Sequence, residues 1–97
     1  MIPILLGSQK DKEFADKITD LLDEFGISHK VVVCSAHKAP EKLLEILKKY
    51  DALQESVIYI TIAGRSNGLS GVTAGATLNP VIGCPPFSDK ADYLVNV

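Results

Sequence analysis

Val31-Val32-Val33-Cys34-Ser35-Ala36-His37-Lys38-Ala39-Pro40 joins two unlike patterns. Its first four residues form a continuous apolar, mostly β-branched run, as expected of a strand buried on both faces. Its last residue suits the first position of a helix, where a missing N–H costs nothing, and Leu43, Leu44 and Leu47 recur beyond it at helical spacing. A hydroxyl, an imidazole and an ammonium are therefore concentrated between the carboxyl end of a strand and the amino end of a helix. In open α/β sheets that edge is where ligands bind.

The same alternation extends outward. Ile2 to Leu6 reads as a first strand, with Pro3 tolerable near its beginning. The turn Gly7-Ser8-Gln9-Lys10-Asp11 follows, then a helix expected to carry Phe14, Ile18, Leu21, Leu22 and Phe25 on one face and to stop at Gly26 in a left-handed conformation. The second strand is His29 to Cys34, and the second helix runs from Pro40 to about Tyr50. Val57 to Ile62 is a third strand rich in β-branched residues, leading into Ala63-Gly64-Arg65-Ser66-Asn67-Gly68. Leu69 to Thr77 is dense in small residues, as in a helix packed closely on a sheet or another subunit, and Val81 to Cys84 is a fourth strand ended by Pro85-Pro86. Strands alternating with helices predict right-handed βαβ units. The expected fold class is α/β: a three-layer sandwich around a doubly wound parallel sheet, flavodoxin-like, in a single domain over residues 1–97.

Composition narrows the function. The 97 residues are 46% apolar, enough for a thin core, and the net charge of −2 gives neither a basic footprint for nucleic acid nor a polybasic membrane patch. Cys34 and Cys84 show no metal-ligand spacing and read as small buried hydrophobes in a reducing, cytoplasmic setting. The apolar opening is too short for a signal peptide or a membrane span.

In a parallel sheet all the turns after the strands gather at one edge, within reach of one another. Ser8 and the nearby backbone N–H groups can meet a phosphate, and Asp11 can take up sugar hydroxyls or merely cap its helix. Ser35 and Lys38 suit a phosphate too, and a solvated lysine on a first turn is an equal reading. A lone histidine is more often structural or merely exposed, but His37, at a strand's carboxyl end beside a hydroxyl and a cation, can carry a proton near neutral pH. His29, by contrast, sits at a strand entrance on the opposite edge and receives no function. Arg65, Ser66 and Asn67 offer a planar cation, a hydroxyl and an amide for a carboxylate or phosphate, or form a plain turn.

Taken together, Gly7-Ser8 with Asp11, Ser35-Ala36-His37-Lys38 with Pro40, Ala63-Gly64-Arg65-Ser66-Asn67-Gly68-Leu69, and Asn79-Pro80-Val81-Ile82-Gly83-Cys84-Pro85-Pro86 resemble, in order and spacing, the PurE family of purine biosynthesis. Within it the chain resembles the second class, phosphoribosylaminoimidazole carboxylases that use CO2 directly. The first class, a mutase acting on the N5-carboxylated ribonucleotide, typically has Arg where Lys38 stands and a longer loop with its own histidine where Arg65 to Leu69 stand. The resemblance implies 5-aminoimidazole ribonucleotide as substrate and His37 as the proton carrier. It implies that Ser8, Asp11, Ser35 and Lys38 hold the ribose phosphate, and that Gly64, Arg65, Ser66 and Asn67 line the reacting end. It also implies no metal, ATP or biotin, with CO2 as co-substrate, and a homo-oligomer, tetramer or octamer, with sites at subunit contacts.

Two departures stand out. Lys10 occupies a position where the family usually has a small hydroxyl residue, and family members continue well past the equivalent of Val97, so the chain is expected to be incomplete at its carboxyl end. Its last residues, Asp92 to Val97, read as an apolar strand without a covering helix. A non-catalytic nucleotide-binding or assembly module of the same fold is the alternative from another class. A receiver-like or flavin-binding domain is disfavoured, since Ala63-Gly64 stand where a receiver needs an acidic residue and no aromatic-rich flavin loop is visible.

Overall fold

Strand and helix alternate throughout the residues that the computed structural model describes, 1–64 and 68–86. The elements are β1 (Ile2–Leu6), α1 (Lys12–Glu24), β2 (His29–Val33), α2 (Pro40–Asp51), β3 (Tyr59–Ile62), α3 (Gly68–Ala76) and β4 (Val81–Gly83). All strand pairs are parallel, in the order β2-β1-β3-β4, with Leu5 of the central β1 level with both Val32 and Thr61. Ile4, Leu5 and Leu6 have no exposed surface, as a parallel strand covered on both faces requires.

The alternation of side chains along β1 builds two cores. Ile4 and Leu6 point to one face, where they meet Ala15 and Leu22 of α1 and Ile62 of β3. Leu5 points to the other, where it joins Leu43, Leu47 and Tyr50 of α2, Tyr59 of β3 and Leu69 of α3. Helices thus cover both faces of the sheet, which is the doubly wound, flavodoxin-like arrangement expected.

Several boundaries and faces differ from expectation. Cys34 lies one residue past β2, Val57 and Ile58 precede β3, and Cys84 follows β4. Backbone bonds nevertheless continue beyond the strands, from Cys34 N–H to Leu6 O at 2.8 Å and from Cys84 N–H to Thr61 O at 2.8 Å. The third helix runs over Gly68–Ala76 rather than Leu69 to Thr77. On α1 the buried stripe is Ala15, Thr19 and Leu22, while Leu21 is 55% and Phe25 72% exposed. Residue 21 is rotated about 100° from residue 22, and Phe25 has already left the helix. The stop itself is as expected: Gly26 has φ 67°, its N–H donates to Asp23 O, and Ile27 N–H donates to Leu22 O, closing both bonds of a Schellman motif. Leu44 of α2 is likewise half-exposed, its neighbours Leu43 and Leu47 taking the sheet side.

The amino edge of the sheet is held by side chains remote in sequence. Asp51, the last residue of α2, accepts from Tyr59 Oη–H at 2.6 Å and Asn79 Nδ2–H at 2.8 Å on Oδ1, and from Thr77 Oγ1–H at 2.8 Å on Oδ2. Burial alone would raise the pKa of Asp51, but the hydrogen bonds from Tyr59, Thr77 and Asn79 prevail and hold it below the usual carboxylate range. Desolvation, then Asp51 itself, pushes the Tyr59 phenol well above its ordinary value. His29 also lies at this edge, its Nδ1 2.9 Å from Ile27 O and its Nε2 3.4 Å from Asp23.

Because the pKa of Asp51 is lower folded than unfolded, its contribution is complete above about pH 4, the unfolded value, and disappears as pH falls through the folded one. Asp51→Ala is expected to cost about 1–2 kcal/mol at pH 7, a figure kept low because the carboxylate is solvent-exposed. The deficit should shrink steadily as urea unfolding is repeated toward pH 2. A deficit that does not change with pH would mean that the carboxylate charge is not what holds these segments.

Candidate functional site

β1 and β3 lie side by side, but β1 leads to α1 on one face and β3 leads toward α3 on the other. The connections leaving their carboxyl ends therefore diverge and open a crevice, the position where doubly wound sheets bind ligands. The backbones approach closely there: Gly7 N–H donates to Ile62 O at 2.9 Å, and a Cβ on Gly7 would stand only 2.9 Å from Ala63 Cβ. Glycine at position 7 is what lets the chain turn away from β1 against its neighbour.

The crevice is a cavity of about 430 Å³, and Ser8, Asp11, Ser35, His37, Lys38 and Gly64 all line it. Six of the nine residues singled out in the sequence are thus brought together from three different turns. Arg65, Ser66 and Asn67 lie outside the described residues, as does the apolar tail from Asp92 to Val97.

Each turn has its own internal support. Ser8 is extended, and its Oγ accepts from the Lys10 N–H at a long 3.4 Å, opening a single 3-10 turn over Gln9–Asp11. Asp11 then precedes α1 without any side-chain capping bond, so the helix-cap reading of this residue does not hold. It is 7% exposed, and desolvation raises its pKa, offset in part by the Lys10 charge and a hydrogen bond from the Ser8 backbone. A carboxylate that is buried, uncommitted to its helix and turned to a cavity is well suited to accept ligand hydroxyls.

Ser35 builds the turn that presents His37. Its Oγ accepts from the Lys38 N–H at 3.1 Å, and its carbonyl accepts from the Ala39 N–H at 3.0 Å. The hydroxyl proton is left to donate into the cavity. Cys34, directly before it, is buried, and burial pushes its thiol pKa up, in keeping with a structural role; burial does the same to Cys84.

Three further residues of the cavity had been given no role in it. Lys10 lines it, adding a second lysine to the cavity that Lys38 also lines. Leu69, 2% exposed, is shared between the cavity lining and the core. Gly68 also lines it, and a Cβ at that position would stand 2.8 Å from His37 Nε2. The signal available for Gly68 and Leu69 was their place in the stretch Ala63 to Leu69. Among the described residues no group of three or more His, Cys, Asp or Glu is arranged to hold a metal ion, and no helix is long and apolar enough to cross a membrane.

Known proteins resemble the chain closely. A phosphoribosylaminoimidazole carboxylase from Archaeoglobus fulgidus is 48% identical over 90% of this chain and 47% of its own length. One from Treponema denticola is 46% identical over 93% of this chain and 57% of its own. The crystal structure of Treponema denticola PurE superposes with a TM-score of 0.90 at 44% identity, covering 97% of this chain and 61% of that one. The chain thus spans about half the length of the relatives it matches. The fold, the order of its turns and a family match that runs from residue 1 to residue 97 agree, and the chain belongs to the AIR carboxylase family.

Proposed function

We propose that this chain carboxylates 5-aminoimidazole ribonucleotide with CO2 to give the 4-carboxy ribonucleotide, with His37 as the proton carrier. The observation that carries the reading is the grouping of Ser8, Asp11, Ser35, His37 and Lys38 around one cavity at the carboxyl edge of the sheet. Lys38 in place of Arg, together with the short loop from Gly64 to Gly68, favours the CO2-using reaction over the N5-carboxylated mutase reaction.

The chemistry asks little more than these groups supply. The exocyclic amine makes C4 of the imidazole an enamine carbon, which attacks the carbon of CO2. A C4–C bond forms while one C=O electron pair moves onto oxygen as carboxylate. C4 then carries both a hydrogen and the new carboxylate, and His37 removes that proton so that the electron pair returns to the ring and aromaticity is restored. CO2 is small and uncharged, so positioning and stabilisation of the developing carboxylate are the remaining demands. Gly64 and the following Arg65, Ser66 and Asn67 serve that end, while Ser8, Asp11, Ser35 and Lys38 hold the ribose phosphate. On this reading no metal, ATP or biotin takes part, and the protein works in the cytoplasm as a homo-oligomer, a tetramer or octamer.

The test is interconversion of the two ribonucleotides by the purified 97-residue chain, followed by absorbance. Turnover supports the reading. Ribonucleotide binding without turnover would favour either an incomplete piece of the enzyme or a non-catalytic nucleotide-binding or assembly module, and the same assay with the chain extended past Val97 would separate the two. Within the reading, Lys38→Ala is expected to weaken the ribonucleotide by about tenfold and the phosphate-free ribonucleoside hardly at all. Equal effects on both ligands in calorimetric titrations would remove Lys38 from the phosphate.

A further inference from the structure

The contact between Gly68 and His37 is not explained by the backbone. Gly68 opens α3. Among the described glycines only Gly26 has the positive φ that side chains avoid. At the start of a helix of ordinary geometry, alanine would form helix better than glycine. What distinguishes position 68 is the space above it: a Cβ there would lie 2.8 Å from His37 Nε2 and 3.0 Å from Cε1. Gly71, one turn along the same helix, is different, since a Cβ added there meets nothing within 4 Å.

We propose that Gly68 is a positioning residue for His37: its bare α-carbon is the surface against which the Nε2–Cε1 edge of the imidazole rests, fixing where that nitrogen sits in the cavity. The proposal rests on the reading of His37 as the proton carrier. A methyl group at 68 would push the ring edge out from 2.8 Å to an ordinary contact of about 3.5–4 Å. His37 is exposed, and its turn is closed by Ser35 and Ala39 without using the ring, so the ring yields and the fold does not. The displacement, roughly 1 Å, moves the ring that takes the proton, and misplacements of that size cost up to about a hundredfold in rate.

The experiment compares Gly68→Ala with Gly71→Ala in the 97-residue chain. Turnover, ribonucleotide affinity and the His37 ring resonances are measured by absorbance, calorimetry and NMR, and sedimentation confirms equal assembly. In Gly68→Ala, kcat is expected to fall about 10- to 100-fold, with affinity within about twofold and the His37 resonances moved. In Gly71→Ala all three should match the parent. Unmoved resonances, an unchanged kcat, or a loss of affinity that accounts for the lost rate would each overturn the proposal. If the parent chain itself shows no turnover, the carboxylase reading goes to the extended chain, and the resonances alone decide whether Gly68 places the ring.

Discussion

His37→Asn is expected to reduce kcat by about 10²- to 10⁴-fold while the ribonucleotide dissociation constant stays within about twofold. Asparagine keeps a polar side chain of similar reach but cannot accept and release a proton near neutral pH. Its effect on the fold should be small, because the turn that carries His37 is held by Ser35 Oγ receiving the Lys38 N–H and by Ser35 O receiving the Ala39 N–H. Neither bond involves the imidazole. The proton step would therefore be lost from a site that still assembles. Steady-state rates in both directions and a calorimetric titration of the same preparation check this. Loss of affinity together with rate would show that the imidazole binds the nucleotide rather than carrying its proton.

Leu43→Ala is the second large effect, on stability rather than chemistry. Leu43 has no exposed surface and lies in the core that joins α2 to Leu5, Tyr59 and Leu69. Truncating such a leucine removes its transfer free energy and leaves a cavity, together about 2–5 kcal/mol. A domain of this size has about 5–15 kcal/mol in all, so the urea midpoint should drop by a large fraction. Leu43 does not line the crevice, and kcat per folded molecule should stay close to the parent value below the transition. A loss under about 1 kcal/mol would mean that α2 closes over the gap and that the core is looser than its burial indicates.

The legible parts of this molecule were those written locally. Val31 to Cys34 and Val57 to Ile62 announce buried strands by composition, and their alternation with helices implies the parallel order that gathers Ser8, Asp11, Ser35, His37 and Lys38. Periodicity can say that α1 has an apolar face, but not how wide a stripe the sheet covers, so Leu21 and Phe25, expected on that face, stand in solvent. Asp11 offered two readings from the sequence, and only the absent capping bond separated them. Gly68 looked like one more turn residue, because its contact with His37 joins turns that follow two different strands. The three donors around Asp51 were invisible for the same reason, with Thr77 and Asn79 lying 26 and 28 residues away.

That last cluster bears on how the protein moves. One carboxylate is shared by the end of α2, by β3 and by the turn before β4, so none of these segments has its full set of partners until the others are in place. They should open and close as one cooperative unit, and the exchange of their backbone amides with solvent should be governed by a common local unfolding event. The turns that line the cavity lie at the other end of the same strands, and none of their residues belongs to this cluster. The foot of the sheet is therefore tied together by groups that are separate from those grouped at its head.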